Sequence, residues 1–424
     1  MPERLSTGLP RLVSAAVLSV FLLPPGAAAQ TPAAQSPGPP TTRAEQLRQL
    51  RETKAKDLHH YRPSGLETVA IRMEDEILPR LFAARSGFYP FIGSISSGSW
   101  IAAGPGYRVL DLWEGKAHWN SFGAISLRGY YLLDTRLTFP NLKNGRFFAE
   151  TYARHSRYRN QRFFGLGPDS PDEGEATFVL DQTNVGGFGG VRVAPIFSVG
   201  GGLEFLKPDV ARFENAGEDE DDPPPPIFDD RTAPGLAEQP SFLRWEAFAD
   251  LNYATPRGNP RRGGQYQVSF SRYHDQDSGL YGFNRTNVDL RQYLSAFNER
   301  RVLVLRSFLS LSDARDGARV PFYLQRTLGG GTTLRGFDDF RFRDANLLLL
   351  QAEYRYEIFT ALDGALFYDA GQVAPERRDF SRRKFERDWG LGFRFGSNAG
   401  VFMRFDFAFA EQGTRFTMAF SNVF

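Results

Sequence analysis

One arginine and two carboxylates form a group whose chemistry depends on how the chain brings them together. Arg335 lies in the glycine-rich segment 328–337 (LGGGTTLRGF), and Glu353 and Asp369 lie in the two segments that follow it. A guanidinium is planar, keeps its charge and donates to two acceptors at once. A loop folding inward could therefore place Arg335 between both carboxylates, whereas a solvated loop tip carrying Arg335 fits the same spacing equally well.

Residues for most other chemistries are missing or scattered. The chain has no Cys, which excludes disulfides, thiolate catalysis and Cys-ligated zinc. Its 51 Lys and Arg balance 49 Asp and Glu, so no polybasic character favours nucleic acid. The five His residues show neither zinc-binding nor catalytic spacing; they are His59, His60, His118, His155 and His274. We therefore expect a protein that is not an enzyme and that uses no cofactor, no metal and no nucleic acid.

In the segments that must position Arg335 and its partners, apolar and polar residues alternate with a period of two. Near the C-terminus, Trp389, Leu391 and Phe393 fall on one face of an alternating segment. Asp388 and Arg394 fall on the opposite face, together with several glycines. Alternation of this kind indicates strands between two different solvents. Charge in the middle of the polar face favours a barrel with a polar lumen over a soluble β-sandwich.

Counting such segments predicts an all-β fold, a 16-stranded antiparallel transmembrane β-barrel over residues 88–424. The long connections follow only odd-numbered strands, as expected when both chain termini lie on the side with short turns. The strands are predicted to start at Phe88, Ala102, His118, Leu132, Arg146, Ala176, Val191, Phe242, Gly264, Thr286, Arg300, Phe342, Ala361, Phe385, Ala399 and Thr414.

The region before the barrel is predicted to contain a signal peptide, a linker and a short helical segment. Residues 1–29 combine basic residues, a twelve-residue apolar stretch and an Ala-x-Ala site, which predicts a signal peptide. Residues 30–42 are a Pro-rich linker. Residues 43–87 are predicted to form two helices, at 43–60 and 66–82, that lie in the periplasm or plug the lumen; a disordered leader is the alternative for 43–60.

Two motifs carry a resemblance to a known family. The LRGF sequence ending at Phe337 and the FYDAG sequence ending at Gly371 resemble the bacterial surface antigen domain of the BamA/TamA outer-membrane assembly superfamily. The FFGLG sequence at 163–167 and the terminal Phe424 support the match. Segment 43–87 is too short for the POTRA repeats that usually precede such barrels. The resemblance implies a loop lock in the lumen formed by Arg335, Gly336, Phe337, Glu353, Asp369 and Gly371.

The same resemblance implies a function in the outer membrane of a Gram-negative cell. The barrel would assist insertion or translocation of proteins or lipids through a lateral seam between its first and last strands, and a passive or gated pore is the alternative. Expected partners are outer-membrane lipids and lipopolysaccharide, a client polypeptide or lipid, and the cell's barrel assembly machinery, which would bind the C-terminal strand. Seam residues are predicted to be Gly93, Ser94, Ser96, Ser97, Gly98, Phe416, Phe420 and Phe424.

Overall fold

The computed structural model describes residues 42–56, 85–215, 228–314, 317–359, 361–397 and 400–420. Contacts divide the chain into two units, Met1–Arg62 and Pro63–Phe424. In the first unit, helix α1 spans Arg43–Lys56. Thr42 and Glu45 close its N-terminus as a capping box, since each side chain accepts a hydrogen bond from the other residue's backbone N–H. No helix within the described residues is both long and apolar enough to cross a bilayer.

Sixteen strands of the described second unit form one antiparallel sheet, as the alternation predicted. The sheet strands are β1 (Gly87–Gly93), β2 (Ala102–Asp111), β3 (Ala117–Ser126), β4 (Tyr131–Leu142), β5 (Phe147–Phe163), β6 (Ala176–Ala194), β7 (Phe197–Asn215), β8 (Phe242–Asn252), β9 (Gly263–Asp275), β10 (Phe283–Ala296), β11 (Arg301–Ala314), β14 (Asn346–Phe359), β15 (Leu362–Ala374), β16 (Glu386–Ser397), β17 (Gly400–Ala410) and β18 (Gly413–Ala419). Two short strands, β12 (Arg326–Leu328) and β13 (Phe342–Asp344), pair separately. Short helical turns lie at Leu112–Gly115, Asp172–Gly174, Phe322–Leu324 and Arg377–Asp379.

The strand register assigns each side chain to one of two faces. Gln351, Asp369 and Asp388 stand opposite one another across β14, β15 and β16, so they share the polar face. Leu366 and Leu391 stand opposite each other on the other face, where both are exposed. Large apolar side chains that are exposed on one face and charged side chains that are buried on the other match the two environments of a membrane barrel.

Predicted strand boundaries agree with the structure at fourteen of the sixteen starts, to within three residues. The prediction for the seventh strand was wrong, because β6 continues past Val191 to Ala194 and β7 begins at Phe197. Glycines blur the alternation on both sides of this turn. The prediction at Phe342 was also wrong: this residue pairs with Leu328 in the small β12–β13 ribbon, and the barrel strand begins at Asn346.

Long connections lie at one end of the barrel, here called the loop end, and the opposite end is the turn end. Side chains from the connections pack there against the ends of β5–β10 in two apolar clusters. Phe322 is fully buried between the rings of Phe163 and Phe178, at centroid distances of 5.1 and 5.0 Å. Tyr281 and Val320 are buried beside strand residues of β7–β10. The connections therefore fold over this part of the lumen instead of extending away from it.

Charged residues tie the connections to each other. Arg319 donates to the Asp230 carboxylate at 2.5 Å and to its carbonyl at 2.7 Å. Arg341 donates to Ser170 and to the Asp172 carboxylate. The first pair of bonds therefore joins the connections after β7 and β11, and the second joins the connections after β5 and β12.

Candidate functional site: a buried arginine cluster beside the barrel edges

The segment between β12 and β13 turns into the barrel instead of outward. Two glycines at its start make the turn possible, since Gly329 and Gly330 have φ values of 106° and 96°, a region that residues with a Cβ rarely adopt. A Cβ on Gly329 would also collide with the carbonyl of Asp338 across the loop. We call residues 329–341 the inward loop. Its backbone conformation depends directly on the glycine run in the sequence.

Arg335 lies at the tip of the inward loop and is completely buried. Its Nε and Nη2 donate to the two carboxylate oxygens of Asp369 at 2.7 and 2.9 Å, and Nη1 donates to Glu353 at 2.7 Å. The guanidinium also lies 3.4 Å from the ring centroid of Phe367. Burial opposes the charged form, but Asp369 and Glu353 outweigh it and raise the pKa of Arg335 above its ordinary value.

Further arginines surround Glu353 and extend the cluster across β14–β17. Arg355 and Arg394 both donate to Glu353, at 2.8 Å. Arg394 also pairs with Asp406 at 2.6 Å, and Arg404 pairs with the other oxygen of Asp406. A desolvated charge is tolerated only when it is paired and hydrogen-bonded. The inward loop therefore joins a network of opposite charges on the barrel wall.

The remaining predicted loop-lock residues lie around Arg335. Gly336 packs so closely that a Cβ would be 2.8 Å from the Cβ atoms of Asp388 and Ala410. Phe337 is buried and packs edge-on against Phe342 at 5.3 Å. A Cβ on Gly371 would be 2.8 Å from the side chain of Leu328. The structure thus brings all six predicted residues into one site, where a side chain on Gly336 would collide with Asp388 and Ala410 and a side chain on Gly371 would displace Leu328.

Five residues of this site were not predicted as site residues from sequence: Arg355, Asp388, Arg394, Arg404 and Asp406. A signal was available, since all five occupy the polar face of alternating strands. Polar alternation shows only that a residue faces the lumen. It does not show which lumen-facing residues meet, because that depends on strand register and on the path of the loop.

The inward loop also contacts the last strand of the sheet. Arg415 of β18 donates to Asp338 and Asp339 at 2.8 and 2.7 Å, and to the carbonyl of Phe337 at 2.8 Å. On the other side of Asp339, a Cβ on Gly98 would be 3.3 Å from its carboxylate. Asp339 therefore lies between β18 and the turn that follows β1.

The described strands at the two ends of the sheet order are β1 and β18. Within the described residues, no backbone pairing joins these two strands. The sequence prediction that the first strand includes Ser94, Ser96, Ser97 and Gly98 was wrong, because β1 ends at Gly93.

Local hydrogen bonds explain that early end of β1. The Ser99 hydroxyl accepts hydrogen bonds from the backbone N–H groups of Ile95 and Ser96, at 3.2 Å each. Such side-chain bonds compete with strand pairing. On β18, Phe416 is exposed and Phe420 follows the last strand residue, while Phe424 lies outside the described residues.

Comparisons with known proteins agree with this architecture. Residues 244–421 match the model of the Omp85 superfamily domain. The fold is similar to BamA from Haemophilus ducreyi, in a crystal structure lacking POTRA domains 1–3, with a TM-score of 0.59 and 14% identity over 87% of this chain and 81% of that one.

Two CdiB structures are also similar to parts of this chain. CdiB from Acinetobacter baumannii has a TM-score of 0.47 and 13% identity over 78% of this chain and 56% of that one. CdiB from Escherichia coli has a TM-score of 0.49 and 12% identity over 81% and 66%. A search of curated proteins gives no match.

Fold and site together define a 16-stranded antiparallel barrel with an arginine-bearing loop folded into its lumen. Residues 244–421 carry an Omp85 superfamily domain, which confirms the family predicted from the LRGF and FYDAG sequences.

Proposed function

We propose that this protein is an outer-membrane barrel that assists the insertion or translocation of polypeptides or lipids, and that it releases them sideways between β1 and β18. It performs no chemical reaction of its own in this role. The observation that carries the proposal is the position of the inward loop, which is fixed to the wall through Arg335 and to the β18 edge through Arg415.

The edge strands supply a physical reason for this role. A strand at a sheet edge presents unpaired N–H and C=O groups that can pair with another chain. In hydrocarbon, unpaired backbone groups cost several kcal/mol each, so such edges bind each other or a third strand. Within the described residues, β1 and β18 are the sheet ends without a described neighbour on one side. A client strand or a lipid is the natural occupant of the opened edge.

The two faces and the two ends of the proposed barrel also indicate its partners. The outward apolar side chains contact membrane lipids, and the connections at the loop end face lipopolysaccharide. The segment that contains β18 and ends at Phe424 is the one by which the cell's assembly machinery would insert this barrel.

Crosslinking tests the proposal, because the native chain has no Cys. Tyr89→Cys in β1 and Thr417→Cys in β18 introduce one thiol on each edge strand, to be joined by bis-maleimides of increasing length. The readout is the rate at which liposomes containing the protein promote insertion of an unfolded outer-membrane barrel. We expect the shortest effective crosslink to abolish this rate enhancement.

A matched pair within the paired sheet controls for crosslinking itself. Ala352 and Tyr368 face each other across β14 and β15, so joining cysteines at these positions should leave the rate unchanged. Full activity with the β1–β18 edges joined would eliminate lateral release.

A pore is the second candidate function, and the polar lumen favours it. A cavity of about 380 Å³ lies against β5–β9 and is lined in part by Tyr152, Glu204 and Arg244. The inward loop and the linked connections at the loop end obstruct the lumen. They therefore argue against a freely open pore. Planar bilayer recordings distinguish the two: a passive pore conducts steadily, and the proposed barrel conducts weakly or in brief events.

A further inference from the structure

Asp388 is a buried acidic residue, and no arginine of the cluster around the inward loop pairs with it. Its side chain is on the lumen face of β16, and the residue is only 1% exposed. Within the described part of the chain, neither of its carboxylate oxygens forms a hydrogen bond of good geometry, and its nearest polar neighbours are the Gly336 backbone and the Asp369 carboxylate. An ionised carboxylate without a partner is very unfavourable in a site that excludes water.

The residue directly opposite Asp388 is another acid. Asp369 on β15 is paired with Asp388 in the strand register and is completely buried. Directly opposite residues have Cβ atoms about 4.5–5.5 Å apart, and like charges at such positions repel. Asp369 accepts two hydrogen bonds from Arg335 and a third from Gln351 at 3.2 Å.

Cations near Asp388 are directed at other groups. The three guanidinium nitrogens of Arg335 bind Asp369 and Glu353. On the neighbouring strands, the bonds of Arg394 and Arg404 go to Glu353, to Asp406 and to backbone carbonyls. Arg415 binds the loop at Asp338 and Asp339. The next lumen-facing residue on β16 is Glu386, a further acid.

We infer that Asp388 is held as a neutral carboxylic acid, so that the pair Asp369–Asp388 binds one proton beneath the inward loop. Two carboxylates that share a dry site do not both ionise. The proton is lost to water as H⁺, leaving two carboxylates and no other bond changed. Because Gly336 packs directly on Asp388, the added charge acts on the backbone of the inward loop.

This site links the position of the inward loop to pH. With the loop in place the pair holds one proton, and with the loop displaced water reaches both carboxylates and the proton leaves. The state that binds fewer protons is favoured as pH rises. Alkaline pH therefore releases the loop. This effect does not depend on which client, if any, the barrel inserts or translocates.

Infrared difference spectroscopy tests the protonation state directly. Spectra of the full-length protein and of Asp388→Asn, both in liposomes at neutral pH, are subtracted. We expect the carbonyl stretch of a protonated carboxylic acid in the native protein, shifted by deuterium exchange and absent from the variant. The control Asp363→Asn removes a lumen acid that is bound by Arg261 at 2.9 Å, and it should keep the band. Lack of the band in the native protein overturns the inference.

Cysteine accessibility tests the link to the loop. Val373 is 1% exposed in the apolar cluster that contains Leu334 and Phe337 of the loop, and Val373→Cys is a small change. Its reaction with a maleimide reports displacement of the loop. The same reporter in an Asp388→Asn background corrects for the rise of thiolate with pH.

The ratio of the two labelling rates, native over Asp388→Asn, should rise by up to about tenfold per pH unit for one released proton. Equal pH dependence in both backgrounds overturns the link. If Asp388→Asn fails to insert, titration of the infrared band in the native protein still decides between a neutral and an ionised pair.

Discussion

Arg415 of the last strand donates its Nη2 to the Asp339 carboxylate of the inward loop at 2.7 Å. This bond connects the loop buried in the lumen to one of the two edges of the sheet. In the proposed function, motion of the loop and opening of that edge are therefore coupled through this contact.

Breaking this contact should loosen the edge without disturbing the barrel. Replacing Arg415 by Ala removes three hydrogen bonds at a site that is only partly buried, so we expect a local cost of about 1–2 kcal/mol. Hydrogen exchange should become faster in residues 336–341 and in β18. Arg415→Lys, which keeps the charge, should fall between the native protein and Arg415→Ala; unchanged exchange in Arg415→Ala would show that the contact does not hold the edge.

Removing Arg335 should have a larger effect. Arg335→Ala leaves the buried carboxylates of Asp369 and Glu353 without their shared cation, a change that costs about 3–5 kcal/mol for a buried pair. We expect the protein to reach the membrane with the inward loop sensitive to protease. Arg335→Lys should rescue only partly, because an ammonium cannot bind Asp369 in the same bidentate way. A protease-resistant loop in Arg335→Ala would contradict the assignment.

Loop release should also change conductance. The inward loop and the linked connections cover the loop end, so the native protein is expected to conduct weakly in planar bilayers. The double variant Arg335→Ala/Arg415→Ala should conduct more and for longer, since two of the attachments of the loop are removed. Identical traces from the two proteins would show that the loop does not limit the pore.

Asp344 provides a pH-dependent test at the ribbon that carries the loop. Burial raises its pKa to about 6. Its side chain accepts a hydrogen bond from the backbone N–H of Ala345. The folded ribbon thus binds a proton that the unfolded segment, with an Asp pKa of about 3.9, has already released.

The consequence is a loss of local stability as pH rises from about 4 to about 6. Replacing Asp344 by Asn should remove this loss and stabilise the ribbon by about 1–3 kcal/mol at neutral pH. Hydrogen exchange of β12 and β13 across this pH range is the measurement. Equal protection of both proteins at neutral pH would contradict it.

Much of the fold was accessible from sequence because a membrane barrel imposes a period of two residues. Trp389 and Leu391 alternate with Asp388 and Gly390 since lipid and lumen lie on opposite faces of one strand. Where glycine occupies both faces, as around Gly200, the pattern carries no signal, and the start of β7 was misplaced there. The serines after Gly93 were misplaced for a different reason, namely local hydrogen bonding that no alternation reports.

The sequence by itself determined the strand count, the two faces and the candidates Arg335, Glu353 and Asp369, because residue type and spacing along a strand are local properties. Only the tertiary structure decided which lumen-facing charges meet. Arg394 reaches Glu353 across β15, Asp388 stands opposite Asp369, and Arg415 reaches the inward loop from the far end of the sheet. Those contacts follow from register and from the path of a loop through the lumen, and burial then forces each charge to find a partner or a proton.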